Sequence, residues 1–267
     1  MRVAWSFLKR DFLIAISYKV SFAMQLLSIF IAVPVFSYFG RMFEGSTSGL
    51  LEAYEGNYFA FLLIGVAFTD YLAVSLRTFN QSLRDSQMMG TLEIMLLSPT
   101  TLAQLMAYSS LYAYAQATVR FSMYLLAGAV MFGLNLQGAN VFAAVVLLLL
   151  SVVSFASFGI VSASVIMVIK RGEMINGVVS AASLFLGGVL YPRAMLPNWL
   201  QVVGEFLPIT HGLKGLRLAL LKGATTIELL PQFGALVIFA AVLLPISLAT
   251  FRIAVHRTKV TGTLAQY

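Results

Sequence analysis

Two ionisable side chains, Asp70 and Arg120, stand inside apolar stretches of this 267-residue chain. A charge in hydrocarbon is costly, so such groups usually face a bundle interior or a wet cavity, as contacts for a substrate or ion or as partners of one another. The plainer reading, a structural pair or a side chain reaching an interface, is preferred, because the sequence around each residue shows no polar cluster. Other chemistry is missing. No Gly-x-x-x-x-Gly-Lys-[Ser/Thr] phosphate loop occurs, and no lysine follows a glycine, so the chain is not expected to hydrolyse ATP by itself. His-Glu-x-x-His and Gly-x-Ser-x-Gly are absent as well. His211 and His256 lie far apart and there is no cysteine, so no metal site and no disulfide framework is expected. An intramembrane enzyme is hard to build from the residues that remain.

The elements that position Asp70 and Arg120 follow from composition. Hydrophobic residues make up 60% of the chain and charged residues 10%, against about 45–50% and about 25% in soluble domains. The apolar residues come in long blocks, and a block of about 18 or more with few charges reads as a membrane-spanning helix. The formal charge of +7 and the pI near 9.7 come from basic residues that flank these blocks. Such residues anchor and orient helices, so the lipid bilayer, not nucleic acid, is the expected partner of the positive charge.

Six spans are expected, at about 21–40, 57–76, 102–133, 141–169, 174–190 and 232–251. Residues 1–19 place Trp5, Leu8, Phe12 and Ile16 on one helical face and Arg10 opposite, although Leu13 and Ile14 fall off the stripe; an interfacial helix and a cytosolic extension of the first span are equally plain readings. The apolar run behind this basic start is too long for a signal core and is read as a retained first span. It contains Pro34, a candidate kink. Ser151, Ser154, Ser157, Gly159 and Ser162 in the fourth run have the small side chains that let helices approach closely. With the N-terminus inside, eleven Lys and Arg fall on the inner side and five on the outer, leaving Arg120 within the membrane. That asymmetry places both termini in the cytoplasm.

Two loop stretches carry a family resemblance. After the second span the chain reads Gly90-Thr91-Leu92-Glu93-Ile94-Met95-Leu96-Leu97-Ser98-Pro99. After the fifth it reads Tyr191-Pro192-Arg193, Leu196-Pro197 and Leu207-Pro208-Ile209-Thr210-His211, with Arg217 beyond. Together with six spans and a basic amphipathic start, these resemble the type-2 exporter permeases of the ATP-binding cassette (ABC) transporters. The family usually shows Asn-Pro where this chain has Leu207-Pro208.

The resemblance implies an all-α polytopic membrane protein forming one transmembrane domain over residues 1–267. It implies a coupling region at 77–101, with Gly90, Thr91, Leu92, Glu93, Leu97 and Ser98 docking on an ATPase. It further implies a short extracellular re-entrant segment within 191–230, framed by Tyr191, Pro192, Pro197, Pro208, His211 and Arg217. The partners implied are a second copy of the permease and two copies of an ABC ATPase, which would hold the ATP and Mg; this chain would bind no cofactor. The location implied is the inner (plasma) membrane. An amphipathic cargo is implied, drug-like, lipid or lipid-linked glycan, and the first two are preferred. The alternative is an ion-coupled secondary transporter acting without an ATPase, which would ordinarily show more ionisable groups at membrane depth than Asp70 and Arg120.

Overall fold

A bilayer offers the backbone no hydrogen bonds, so a spanning chain must satisfy its own N–H and C=O groups, most simply as helix. The computed structural model describes Leu13 and residues 19–43, 57–88, 102–169 and 173–260, and no strand occurs among the described residues. The helices are α1 (Lys19–Phe43), α2 (Tyr58–Met88), α3 (Leu102–Phe132), α4 (Val141–Ile169) and α5 (Glu173–Leu186). A 3-10 turn (Arg193–Met195) then leads to α6 (Asn198–Glu205), α7 (Pro208–Leu221) and α8 (Leu230–Val260).

Among the described residues four helices are long and apolar enough to cross a membrane, through Ala23–Met42, Tyr58–Gln81, Val141–Met167 and Leu230–Thr258. They correspond to the first, second, fourth and sixth expected spans. Helix α3 has 31 residues, but Gln116, Thr118 and Arg120 dilute its apolar character, and it is not one of the four. Helix α5 has only 14 residues, a rise of about 21 Å against a hydrocarbon core of about 30 Å. The apolar run at 174–190 had suggested helix to its end. Helix instead stops at Leu186, and Gly188 takes a φ of +69°, which a side chain would resist. Helix α2, by contrast, runs well past residue 76, the expected end of its span, to Met88. At 31 residues it rises about 46 Å, so it projects beyond the hydrocarbon.

Helix α2 is the hub, packing against α1, α3, α4, α5 and α7. Its register against α3 is antiparallel: Phe59 meets Phe132, Tyr71 meets Thr118, and Ser75 meets Tyr114. The α3 positions buried there, Ser110, Ala117, Phe121 and Gly128, recur at helical spacing. Helix α4 fits tightly because its small residues, Ser151, Ser154, Ser157, Gly159 and Ser162, are all buried. A Cβ on Gly159 would collide with the Ser75 carbonyl of α2. On its other side α4 takes α8, with Ala163 and Met167 against Phe251 and Ala254.

Helix α7 is buried on nearly every side, among α2, α4 and α8. Helices α1 and α8 are mostly exposed and apolar, with Leu27, Phe30, Ile31 and Val35 on one and Val237, Ile238, Val242 and Ile246 on the other. Apolar surface of that extent is solvated by lipid rather than water. The chain is a multi-pass membrane protein.

Candidate functional site

Thr69, Asp70, Ala73 and Arg77 fall at helical spacing on α2, and Arg120 and Tyr124 do so on α3. With Gln25 and Ser28 of α1 and Ser180 of α5, they line a groove of about 660 Å³. Arg120 Nε donates to Asp70 Oδ2 at 2.6 Å, and the side chains are 16% and 31% exposed. One turn away, Gln116 Nε2 donates to Gln25 Oε1 at 3.1 Å and ties α3 to α1. Tyr71 Oη donates to Thr118 Oγ1 at 3.1 Å, and Ser75 Oγ lies 2.8 Å from Tyr114 Oη. The structure thus joins Asp70 to Arg120 and surrounds them with polar groups, correcting the expectation that no polar cluster accompanies either. The cluster is assembled from four helices, so no window of sequence contains it. The legible signal was the i, i+4, i+8 row Gln116, Arg120 and Tyr124.

A second constellation sits where α5, α6 and α7 meet. Gly187–Gly188 end α5, the 3-10 turn begins after Pro192, α6 follows Pro197, and Pro208 opens α7 at its first turn. Proline suits the first turn of α7 because its fixed φ is already helical and its missing N–H would be unpaired there anyway, while Pro192 and Pro197 cap the other two starts with extended ψ. Tyr191 Oη donates to the Phe185 carbonyl at 2.7 Å, and desolvation pushes its phenol pKa up, keeping it a donor. Glu205 Oε1 takes Arg193 Nη1 at 2.7 Å, while Glu205 Oε2 lies 3.2 Å from His211 Nε2. Arg193 Nη2 also donates to the Gln201 carbonyl. Arg193 and Glu205 were not singled out as site residues, and their spacing of twelve residues gives no periodic signal.

Arg217 holds these pieces to α2. It is 3% exposed, and its Nη1 donates to the Gly188 carbonyl at 2.8 Å. Nη2 reaches the carbonyls of Val189 at 2.9 Å and Phe61 at 2.8 Å, and Nε reaches Phe61 again at 3.1 Å. The guanidinium lies 3.3 Å from the Phe61 ring centroid. Both a cation–π contact and unpaired carbonyls at the broken end of α5 favour the charge at this position. Gly65 permits the crossing, since a Cβ there would lie 2.5 Å from the Val189 oxygen and 2.6 Å from Arg217 Nη2. Tyr58 Oη adds a bond to the Leu190 carbonyl at 2.6 Å. The structure therefore brings Tyr191, Pro192, Pro197, Pro208, His211 and Arg217 together at one end of the bundle.

Gly90, Thr91, Leu92, Glu93, Leu97 and Ser98 lie outside the described residues, as do residues 1–12 of the expected interfacial helix. The described part of α2 ends at Met88, immediately before them. Near that end, Asn80 Nδ2 donates to Ser162 Oγ at 3.3 Å, and Ser162 Oγ donates to Asn176 Oδ1 at 2.5 Å. This triad joins α2, α4 and α5.

The sequence model described as ABC-2 type transporter matches residues 2–221. No curated protein matches the chain.

Proposed function

The chain belongs to the ABC-2 type transporter family, and we propose that it is the membrane half of an ATP-driven exporter. Membership makes it a transmembrane permease component, a class that works with an ABC ATPase. The groove at Asp70 and Arg120 carries the reading of its task, because a polar, ion-paired hollow at membrane depth serves passage better than packing. Two copies pair, with the faces of α1, α2 and α5 lining a pathway for an amphipathic cargo. Both termini lie in the cytoplasm, in the inner membrane, and six helical segments cross. Two ATPase subunits bind the cytoplasmic face and supply ATP and Mg.

Gly90 to Ser98 receive the ATPase stroke, with Glu93 positioning that segment by a salt bridge or hydrogen bonds. Helix α2 supports this, because it runs without interruption from the segment's edge at Met88 to the Arg217 contact at Phe61. Displacement of one end therefore reaches α1, α3, α4, α5 and α7 together. The short helices between Tyr191 and Leu221 form the extracellular re-entrant segment and close the outer end of the pathway.

Glu93→Ala should leave membrane insertion intact while abolishing the cargo-dependent part of the partner's ATP turnover. Unchanged coupled turnover in that variant would remove Glu93 from the coupling role. Transport in vesicles driven by an ion gradient without any ATPase would favour the secondary-transporter reading instead.

A further inference from the structure

Asp70 is the one acidic side chain lining the groove among the described residues, against two arginines, Arg77 and Arg120. The balance is one positive charge. Asp70 also leaves much of Arg120 unused. A guanidinium has five N–H donors, and the contact to Asp70 engages only Nε among the described residues. Both terminal nitrogens, the pair that grips a carboxylate or phosphate in a fork, have no partner among the described residues. Arg77 lies on the same face of α2, seven residues on from Asp70, and is exposed. That spacing is about 10 Å along the helix.

The groove continues into apolar surface along the same two helices. Ile29 and Phe30 of α1 with Met123, Leu126, Val130 and Met131 of α3 line a second hollow of about 260 Å³. Ile29 follows Ser28, and Met123 precedes Tyr124, so the polar and apolar hollows lie side by side along the same stretch of α1 and α3.

We propose that the groove holds the anionic head of the cargo, a phosphate, sulfate or carboxylate, with its apolar tail in the α1–α3 hollow. The assignment rests on the exporter reading and names its cargo class: amphipathic acids. Arg77 draws in the head, and the free fork of Arg120 binds it. Asp70 holds Arg120 in place when no cargo is bound and tempers its attraction so that the head can leave.

The test uses the full chain in phosphatidylcholine nanodiscs and three probes that share one tail: dodecyl phosphate, dodecyltrimethylammonium and dodecyl maltoside. Saturable binding should favour dodecyl phosphate over the cation by roughly tenfold or more. Arg77→Gln should weaken dodecyl phosphate by about three- to tenfold, leaving the maltoside unchanged. Asp70→Asn, which removes the competing carboxylate, should tighten dodecyl phosphate severalfold and increase its stabilisation of the fold against heat. Both variants keep Arg120, so neither depends on the outcome of its removal. Preference for the cation, equal binding of all three probes, or indifference to both variants would overturn the proposal. Capture of the ATPase by the same preparation separates the two readings. Capture with no discrimination among head groups overturns the cargo class alone, and discrimination with no capture overturns the exporter reading alone.

Discussion

Arg217 and the Asp70–Arg120 pair place charge inside the bundle by different means, and they predict different costs. Arg217 spends its donors on the Phe61 carbonyl of α2 and on those of Gly188 and Val189, which lie past the end of α5 where no helix completes them. Arg217→Ala strands those carbonyls in a buried site and should cost about 3–5 kcal/mol. Arg217→Lys, a point charge without the planar fork, should recover only part of that. Thermal unfolding in detergent measures both; a loss below about 1 kcal/mol for Arg217→Ala would remove the clamp. The Asp70–Arg120 pair is partly exposed, so breaking it should cost less, about 1–3 kcal/mol for either Asp70→Asn or Arg120→Gln. The double variant should lose clearly less than the sum, because each single change strands the other charge. Strict additivity would mean that the two side chains do not interact. From sequence, Asp70 and Arg120 were visible as singular residues, but their contact spans fifty positions. Only the antiparallel register of α2 and α3 sets them opposite each other.

Helix boundaries and contacts show where local pattern was and was not sufficient. The blocks at 57–76 and 141–169 predicted α2 and α4, because long apolar runs have one stable form in lipid. Helix α2 extends past its block because a spanning helix can continue into water as a polar helix. The run at 174–190 misled because Leu186 to Leu190 is apolar throughout while Gly188, at a φ of +69°, turns the backbone out of the helix. Glycines diverge just as sharply. Gly159 faces the Ser75 carbonyl, whereas among the described residues nothing lies within 4 Å of a Cβ on Gly177. Gly159→Ala should therefore force α2 from α4 and destabilise by about 1–3 kcal/mol. Gly177→Ala in α5 should be neutral or stabilising by about 0.5–1 kcal/mol. Paired melting curves decide this, and equal effects would contradict the tight α2–α4 crossing.

At the scale of the whole molecule, the long helix α2 links three regions that are separate in sequence. It leads into the Gly90–Ser98 segment, contributes Asp70 and Arg77 to the groove, and meets Arg217 at Phe61. The class of protein was legible from composition and the two loop stretches, since charge content and proline–glycine punctuation are local properties. The groove was not legible, because a cavity exists only between helices whose packing depends on distant small residues such as Gly65 and Gly159. The proposed function is that of a permease powered by a partner ATPase, since the sequence contains no phosphate loop. Its role is therefore tested most directly by reconstituting the chain in liposomes with and without the ABC ATPase that captures it, and measuring movement of a fluorescent amphiphile. The expected result is transport that requires chain, ATPase and hydrolysable ATP together, and that stops in Glu93→Ala. Transport by the chain alone under an ion gradient, indifferent to ATP and to Glu93, would contradict it.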